Sequence, residues 1–224
     1  MGSAIGDILP SAVGVALSPV PIIAVILMLG TARARSNGLA FAIGWVVGLA
    51  LVSTIVVIVA SDADDSESGS STAVAVIELV FGALFLVMAL MQWRKRPQPG
   101  TEAAMPTWMQ AIDRFTVGKS LGLGAALSGL NPKNLALTLA AAASIAQAGL
   151  DGGETALTIA VFVVIGSLTV AGPVVFYVAA RDRAAAPLAS IKVFMSEHNA
   201  VIMMVVLIVL GAKLIGNAIA GLTD

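Results

Sequence analysis

The residues best placed to do chemistry stand in two short motifs, Leu17-Ser18-Pro19-Val20-Pro21 and Leu130-Asn131-Pro132-Lys133-Asn134, each set in a long apolar run. Proline inside a helix removes a backbone donor and clashes with the carbonyl four residues earlier. In lipid, a freed carbonyl costs several kcal/mol unless protein or water satisfies it. Each motif therefore predicts a broken helix whose unwound segment faces an interior, with Ser18, Asn131 and Asn134 able to satisfy the exposed groups. A half-helix beginning after such a break presents orphan N–H groups and partial positive charge, which favours an anionic ligand. Lys133 adds a cationic side chain within an apolar segment, where charge is costly and commonly functional. It could bind an anionic headgroup or exchange a proton during a transport cycle. Ser18, Pro19, Pro21, Asn131, Pro132, Lys133 and Asn134 form the candidate substrate-binding set. The plainer alternatives are two structural kinks and a lysine snorkelling to an interface.

Two further charged groups, Glu78 and Lys213, fall inside apolar runs at matching depth. They permit an intramembrane ion pair, whether structural or part of a passage. His198 reads as interfacial. No catalytic constellation is apparent within the apolar runs, and no cofactor is expected. The chain has no cysteine and one histidine, which leaves no thiolate or His-based metal site, and its formal net charge of −1 offers no footprint for nucleic acid. Gly118-Lys119-Ser120 resembles the end of a phosphate-binding loop, but Asp113 stands where the first glycine is required.

The elements that must position these residues follow from composition. Apolar residues make up 58% of 224 and charged residues only 11%, against about 25% charged in a soluble domain. Such a chain needs a bilayer as solvent. A span takes about 20 apolar residues, and six segments reach that length: roughly Ile5–Gly30, Gly38–Ala60, Ala73–Trp93, Lys119–Ala148, Glu154–Ala180 and Asn199–Leu222. Basic residues fall in alternate connections: Arg33 and Arg35; Arg94, Lys95, Arg96, Arg114 and Lys119; Arg181, Arg183 and Lys192. Asp62, Asp64, Asp65, Glu67, Asp151 and Glu154 mark the others. The positive-inside rule makes the basic connections cytoplasmic and places both termini outside. No basic region precedes the first apolar run, so no cleavable signal peptide is expected. Ser61–Thr72 reads as an external loop. Met105, Trp108, Met109, Ile112 and Phe115, and after Pro187 the stripe Leu188, Ile191, Phe194 and Met195, predict two amphipathic helices, lying at the membrane surface or packed under the bundle. Gly44 and Gly48 permit close helix contact within one chain or in a homodimer. Pro173 suggests a distortion in the fifth span.

An internal repeat organises the whole. The proline motifs recur in the first and fourth spans, Val47-Gly48 in the second matches Ile165-Gly166 in the fifth, and Val80-Phe81-Gly82-Ala83-Leu84 in the third matches Val209-Leu210-Gly211-Ala212-Lys213 in the sixth. An odd number of spans per unit inverts the second copy, an arrangement of many secondary transporters. The expected fold is all-α: six transmembrane helices as a 3+3 inverted repeat with broken first and fourth helices. Residues 1–93 form one unit, 94–118 a cytoplasmic linker and 119–224 the second unit.

These proline breaks, the Gly-Ala motifs of the third and sixth spans and the long basic linker resemble the lysine exporter (LysE) superfamily. Within it they resemble the actinobacterial GAP family of peptidoglycolipid- or sulfolipid-addressing proteins. The resemblance covers nearly the whole chain. It implies movement of an anionic amphiphile, a lipid-linked envelope precursor or glycolipid, across the cytoplasmic membrane, with membrane lipids as partners and the two proline motifs lining the central site. Amino-acid export, known in the wider superfamily, and a non-transporting scaffold for envelope enzymes are the competing readings.

Overall fold

A computed structural model describes residues 1–64, 71–94, 107–180 and 183–223. All regular structure among them is helical. Eight α-helices follow in order: α1 (Gly2–Ala16), α2 (Pro19–Leu29), α3 (Ala34–Asp64), α4 (Ser71–Arg94), α5 (Val117–Gly129), α6 (Pro132–Gln147), α7 (Gly152–Ala180) and α8 (Ala185–Thr223), with a 3₁₀ segment at Thr107–Arg114 before α5. The protein is a helical membrane protein by composition and length. Three helices are each long and apolar enough to cross a bilayer: α3 over Ala34–Val59, α7 and α8. The pair α1 and α2, bent by 50° at the break, makes a fourth. The expected fourth span is divided into α5 and α6, of 13 and 16 residues, each shorter than a span.

The chain breaks where the prolines predict. Pro19 and Pro132 each take the first position of the following helix, where a missing N–H costs nothing. Pro10 and Pro173, by contrast, lie inside helices that run on past them, so the expected distortion at Pro173 does not interrupt α7. A single proline removes one helical hydrogen bond. The pair at Pro19 and Pro21 removes two donors in one turn.

Close backbone approach sets the packing. A Cβ on Gly44 would overlap the Leu121 backbone, one on Gly48 would overlap Ser128 and Ala125, and one on Gly124 would overlap the Phe41 carbonyl. The numbers rise together, so α3 and α5 run parallel. The contact foreseen for Gly44 and Gly48 is thus an internal one. Gly82 and Gly211 face each other across α4 and α8: a Cβ on Gly211 would sit 2.9 Å from the Gly82 carbonyl oxygen, and one on Gly82 3.0 Å from that of Gly211. Leu86 also touches Gly211, and Ala75 touches Gly221, so α4 and α8 run antiparallel. Val15 packs on Gly166, and the Ala16 carbonyl meets Thr169, so α1 and α7 run parallel.

Two details depart from expectation. The amphipathic stripe after Pro187 is not a separate helix: α8 is continuous over 39 residues, roughly 58 Å at 1.5 Å per residue. Neither glycine nor proline occurs between Leu188 and Leu210, so nothing stops the helix. In the linker, Met109 and Ile112 are buried, and the Phe115 carbonyl accepts a hydrogen bond from Asn37 Nδ2 at 2.9 Å. That segment packs under the bundle. The side chains of Met105 and Trp108, the residues Lys95, Arg96 and Arg181, and residues 65–70 of the expected Ser61–Thr72 loop lie outside the described residues; α3 extends to Asp64 and α4 begins at Ser71.

The glycine contacts are testable. Gly124→Ala should destabilise the protein by about 1–3 kcal/mol through overpacking. Gly122→Ala, whose Cβ would meet nothing within 4 Å, should be neutral or stabilising. Thermal melting in detergent distinguishes the two.

Candidate functional site

The break in α1–α2 leaves the last carbonyls of α1 without helical partners, and the surrounding elements supply one for each. The Val13 carbonyl accepts from Leu17 N at 2.8 Å. The Gly14 carbonyl accepts from Lys133 Nζ at 2.7 Å. The Val15 carbonyl accepts from Ser18 Oγ at 2.7 Å, and the Ala16 carbonyl accepts from Thr169 Oγ1 at 2.6 Å. Three different chain regions thus cap one helix end, and the capping residue Leu17 contributes its own amide.

The break in α5–α6 is resolved in a related way. The Ala126 carbonyl accepts from Leu130 N at 2.8 Å, and the Leu127 carbonyl accepts from Asn134 Nδ2 at 2.9 Å. Asn131 is the N-cap of α6, its side-chain oxygen accepting from Lys133 N at 3.0 Å. In each motif the carbonyl of the fourth residue before the cap, Val13 or Ala126, is satisfied by the amide of the cap itself. The fifth residue before the proline (Gly14 before Pro19, Leu127 before Pro132) has its carbonyl held by a side chain of the second motif.

The two breaks meet. Lys133 Nζ donates to Ser18 Oγ at 2.6 Å, and the Ser18 hydroxyl also lies 3.1 Å from Asn134 Oδ1, sharing one proton between that oxygen and the Val15 carbonyl. Lys133 is 5% exposed, Ser18 3% and Asn134 fully buried. Lysine as an ammonium carries three donors. Two are engaged, both by neutral oxygens, and no carboxylate pairs with Lys133 among the described residues. The N-termini of α2 and α6 converge on this spot. Pro19 and Pro21 provide no N–H, which leaves Val20 as the donor of the first turn of α2.

Of the seven residues singled out from the sequence, Ser18, Lys133 and Asn134 come into direct contact. Pro19 and Pro21 are buried beside them. Asn131 serves its own helix, and Pro132 is exposed, on the outside of the break. Glu78 and Lys213 border one cavity, but no ion pair joins them among the described residues. Lys213 Nζ donates to the Asp7 carbonyl, and Glu78 accepts from Asn217 Nδ2 at 3.4 Å; Asn217, one turn beyond Lys213, takes the carboxylate. His198 stacks on Phe194 with ring centroids 4.4 Å apart. Sequence reasoning missed Thr169 and Gly14. A hydroxyl in an apolar span could have drawn attention to Thr169, whereas Gly14 contributes only backbone.

Two cavities lie at opposite ends of the α1–α2 line. One, of about 40 Å³, has walls from α1, α4, α6 and α8, including Ser11, Leu137 and Leu210. The other, of about 290 Å³, is bordered by Ile26, Gly30, Asp113, Tyr177, Leu188 and Lys192. The second cavity gathers the α2–α3 turn, the 3₁₀ segment and the start of α8, the three basic connections, at one end of the bundle.

Comparison with known families then decides the affiliation. The family described as Sap, sulfolipid-1-addressing protein, matches residues 8–220. The chain belongs to the sulfolipid-1-addressing protein family. The match takes in both proline motifs, Lys133 and all eight helices at least in part. No curated protein and no solved structure matches the chain.

The cross-helix cap at Ala16 gives a direct test. Thr169→Val should leave that carbonyl unsatisfied and lower stability by about 1–3 kcal/mol, while Thr169→Ser should retain most of it. Melting temperatures of the two variants measure the difference.

Proposed function

We propose that the chain is a secondary transporter or flippase. It carries an anionic amphiphile, a lipid-linked envelope precursor or glycolipid, across the cytoplasmic membrane by alternating access. The observation that carries this reading is Lys133: buried, at the junction of two helix breaks, and held only by neutral oxygens. A buried cation is strongly stabilised by an opposite charge, and the converging N-termini of α2 and α6 add favourable dipoles. An anionic headgroup would supply that charge, and the acyl or prenyl chain would remain in the bilayer. Ser18 and Asn134 orient Lys133, Pro19 and Pro21 hold the break open, and Asn131 with Pro132 starts the helix that presents the lysine. The name of the family points to a lipid passenger, and the apolar surroundings of the site suit one.

Alternating access by a 3+3 inverted repeat, as in the LysE superfamily, is supported by reciprocal contacts. Gly82 and Gly211, matched between the third and sixth spans, face each other, as equivalent positions on a two-fold axis would. Gly48 packs against Ser128, and its match Gly166 packs against Val15; Ser128 and Val15 each stand four residues before their proline. The directions of α1, α3, α4, α5, α7 and α8 agree with this arrangement. The basic end of the bundle is assigned to the cytoplasm by the positive-inside rule, which puts both termini and the Glu78–Lys213 cavity outside.

Reconstituted flux tests the proposal. Purified protein in liposomes should accelerate transbilayer movement of a labelled anionic lipid. Lys133→Met should reduce that rate at least tenfold, about 1.4 kcal/mol in barrier. Undiminished movement in Lys133→Met, or export of labelled amino acids in place of lipid, would overturn it.

A further inference from the structure

The smaller cavity and Lys133 are separated by a single apolar layer. A Cβ on Gly14 would lie 3.0 Å from Leu137 Cδ1, 3.3 Å from Leu210 Cδ1 and 3.5 Å from Val206 Cγ1, so these side chains close directly on the glycine. Leu137 and Leu210 also form part of the cavity wall. Leu137 stands one turn along α6 from Lys133, and Ser11, in the same cavity, stands one turn along α1 from Gly14. About 40 Å³ is room for a few waters, and the wall is polar. The Ser11 hydroxyl, on a residue only 3% exposed, has no hydrogen-bond partner among the described residues, and Glu78 and Lys213 are not paired with each other.

The layer and the site share one residue. The side of Gly14 that would carry a Cβ receives the two leucines, and the carbonyl of Gly14 is held by Lys133 Nζ. We infer that Gly14, Leu137 and Leu210 form the gate between the central site and the Ser11 cavity, and that the Lys133 hydrogen bond to the Gly14 carbonyl is the latch that keeps it shut. An anion that draws the ammonium toward itself weakens that bond. The last turn of α1 loses a cap supplied from α6, at the point where the leucines rest, and the layer parts. A Cβ at position 14 would press first on the end of the Leu137 side chain, which would have to give by a few tenths of an ångström. Along α2, between Ser18 and the larger cavity at the basic end, Ile22, Ile23 and Val25 are buried. The assignment rests on the transport reading for its purpose, but its geometry can be tested without transport.

The chain has no cysteine, so single cysteines report access to a water-soluble maleimide in detergent, where both faces are open. Ser11→Cys should react quickly and Ser18→Cys at least tenfold more slowly. Adding Leu137→Ala and Leu210→Ala should raise the Ser18→Cys rate at least tenfold and leave that of Ser11→Cys unchanged. Val25→Cys, fully buried, controls for unfolding. If the double leucine variant exposes it, Leu210→Ala alone carries the same comparison. Lys133→Met tests the latch without touching the layer, and it too should speed Ser18→Cys labelling. Equal rates at Ser11→Cys and Ser18→Cys, or no acceleration in the leucine variants, would overturn the gate; no acceleration in Lys133→Met would overturn the latch. Flux is read separately in liposomes: gated labelling without lipid movement keeps the gate and sinks the transport reading.

Discussion

Every backbone carbonyl released by a helix break inside an apolar bundle must find a donor, and this requirement organises the molecule. At the end of α1 the donors are a local amide, the Ser18 hydroxyl, Thr169 from α7 and Lys133 from α6. A typical hydrogen bond contributes only about 1 kcal/mol net, but a buried group left unsatisfied costs about 1–3 kcal/mol. The break therefore persists only while α6 and α7 hold their places beside it. Stability at the break and mutual position of the helices are one property.

The same constraint explains the unusual surroundings of Lys133. In a soluble protein a buried lysine would be expected beside a carboxylate. Here it meets a carbonyl and a hydroxyl, both at the negative end of the α1 dipole, which partly compensates its burial. Both partners are neutral oxygens. Lys213 is treated alike: it caps the Asp7 carbonyl and leaves Glu78 to Asn217. Lys133 and Lys213 thus both donate to backbone carbonyls of α1.

Glycine provides the complementary freedom. Gly44, Gly48 and Gly124 let α3 and α5 approach until backbone meets backbone, while Gly82 and Gly211 do so for α4 and α8. In lipid there is no hydrophobic force between helices, and close van der Waals packing replaces it. Through Gly48 against Ser128, α3 packs on one broken pair of helices, and through Gly166 against Val15, α7 packs on the other. The match to the sulfolipid-1-addressing protein family extends over nearly all of this framework.

Much of this was legible in the chain alone. Composition required a bilayer, proline spacing located both breaks, and Lys133 stood out as a charge in an apolar run, because each of these is a local property. The continuity of α8 was missed because the stripe after Pro187 and the apolar run beyond it carry different polarity, yet nothing between them stops a helix. The sequence by itself determined where the helices break and which side chains are available there. Only the tertiary structure decided that Lys133 caps Gly14, that Thr169 caps Ala16, that Glu78 pairs with Asn217 in place of Lys213, and that two leucines close over Gly14. Those outcomes depend on carbonyls and on the directions of packed helices. A backbone carbonyl is the same at every residue, so nothing in the order of side chains marks which one will be left open.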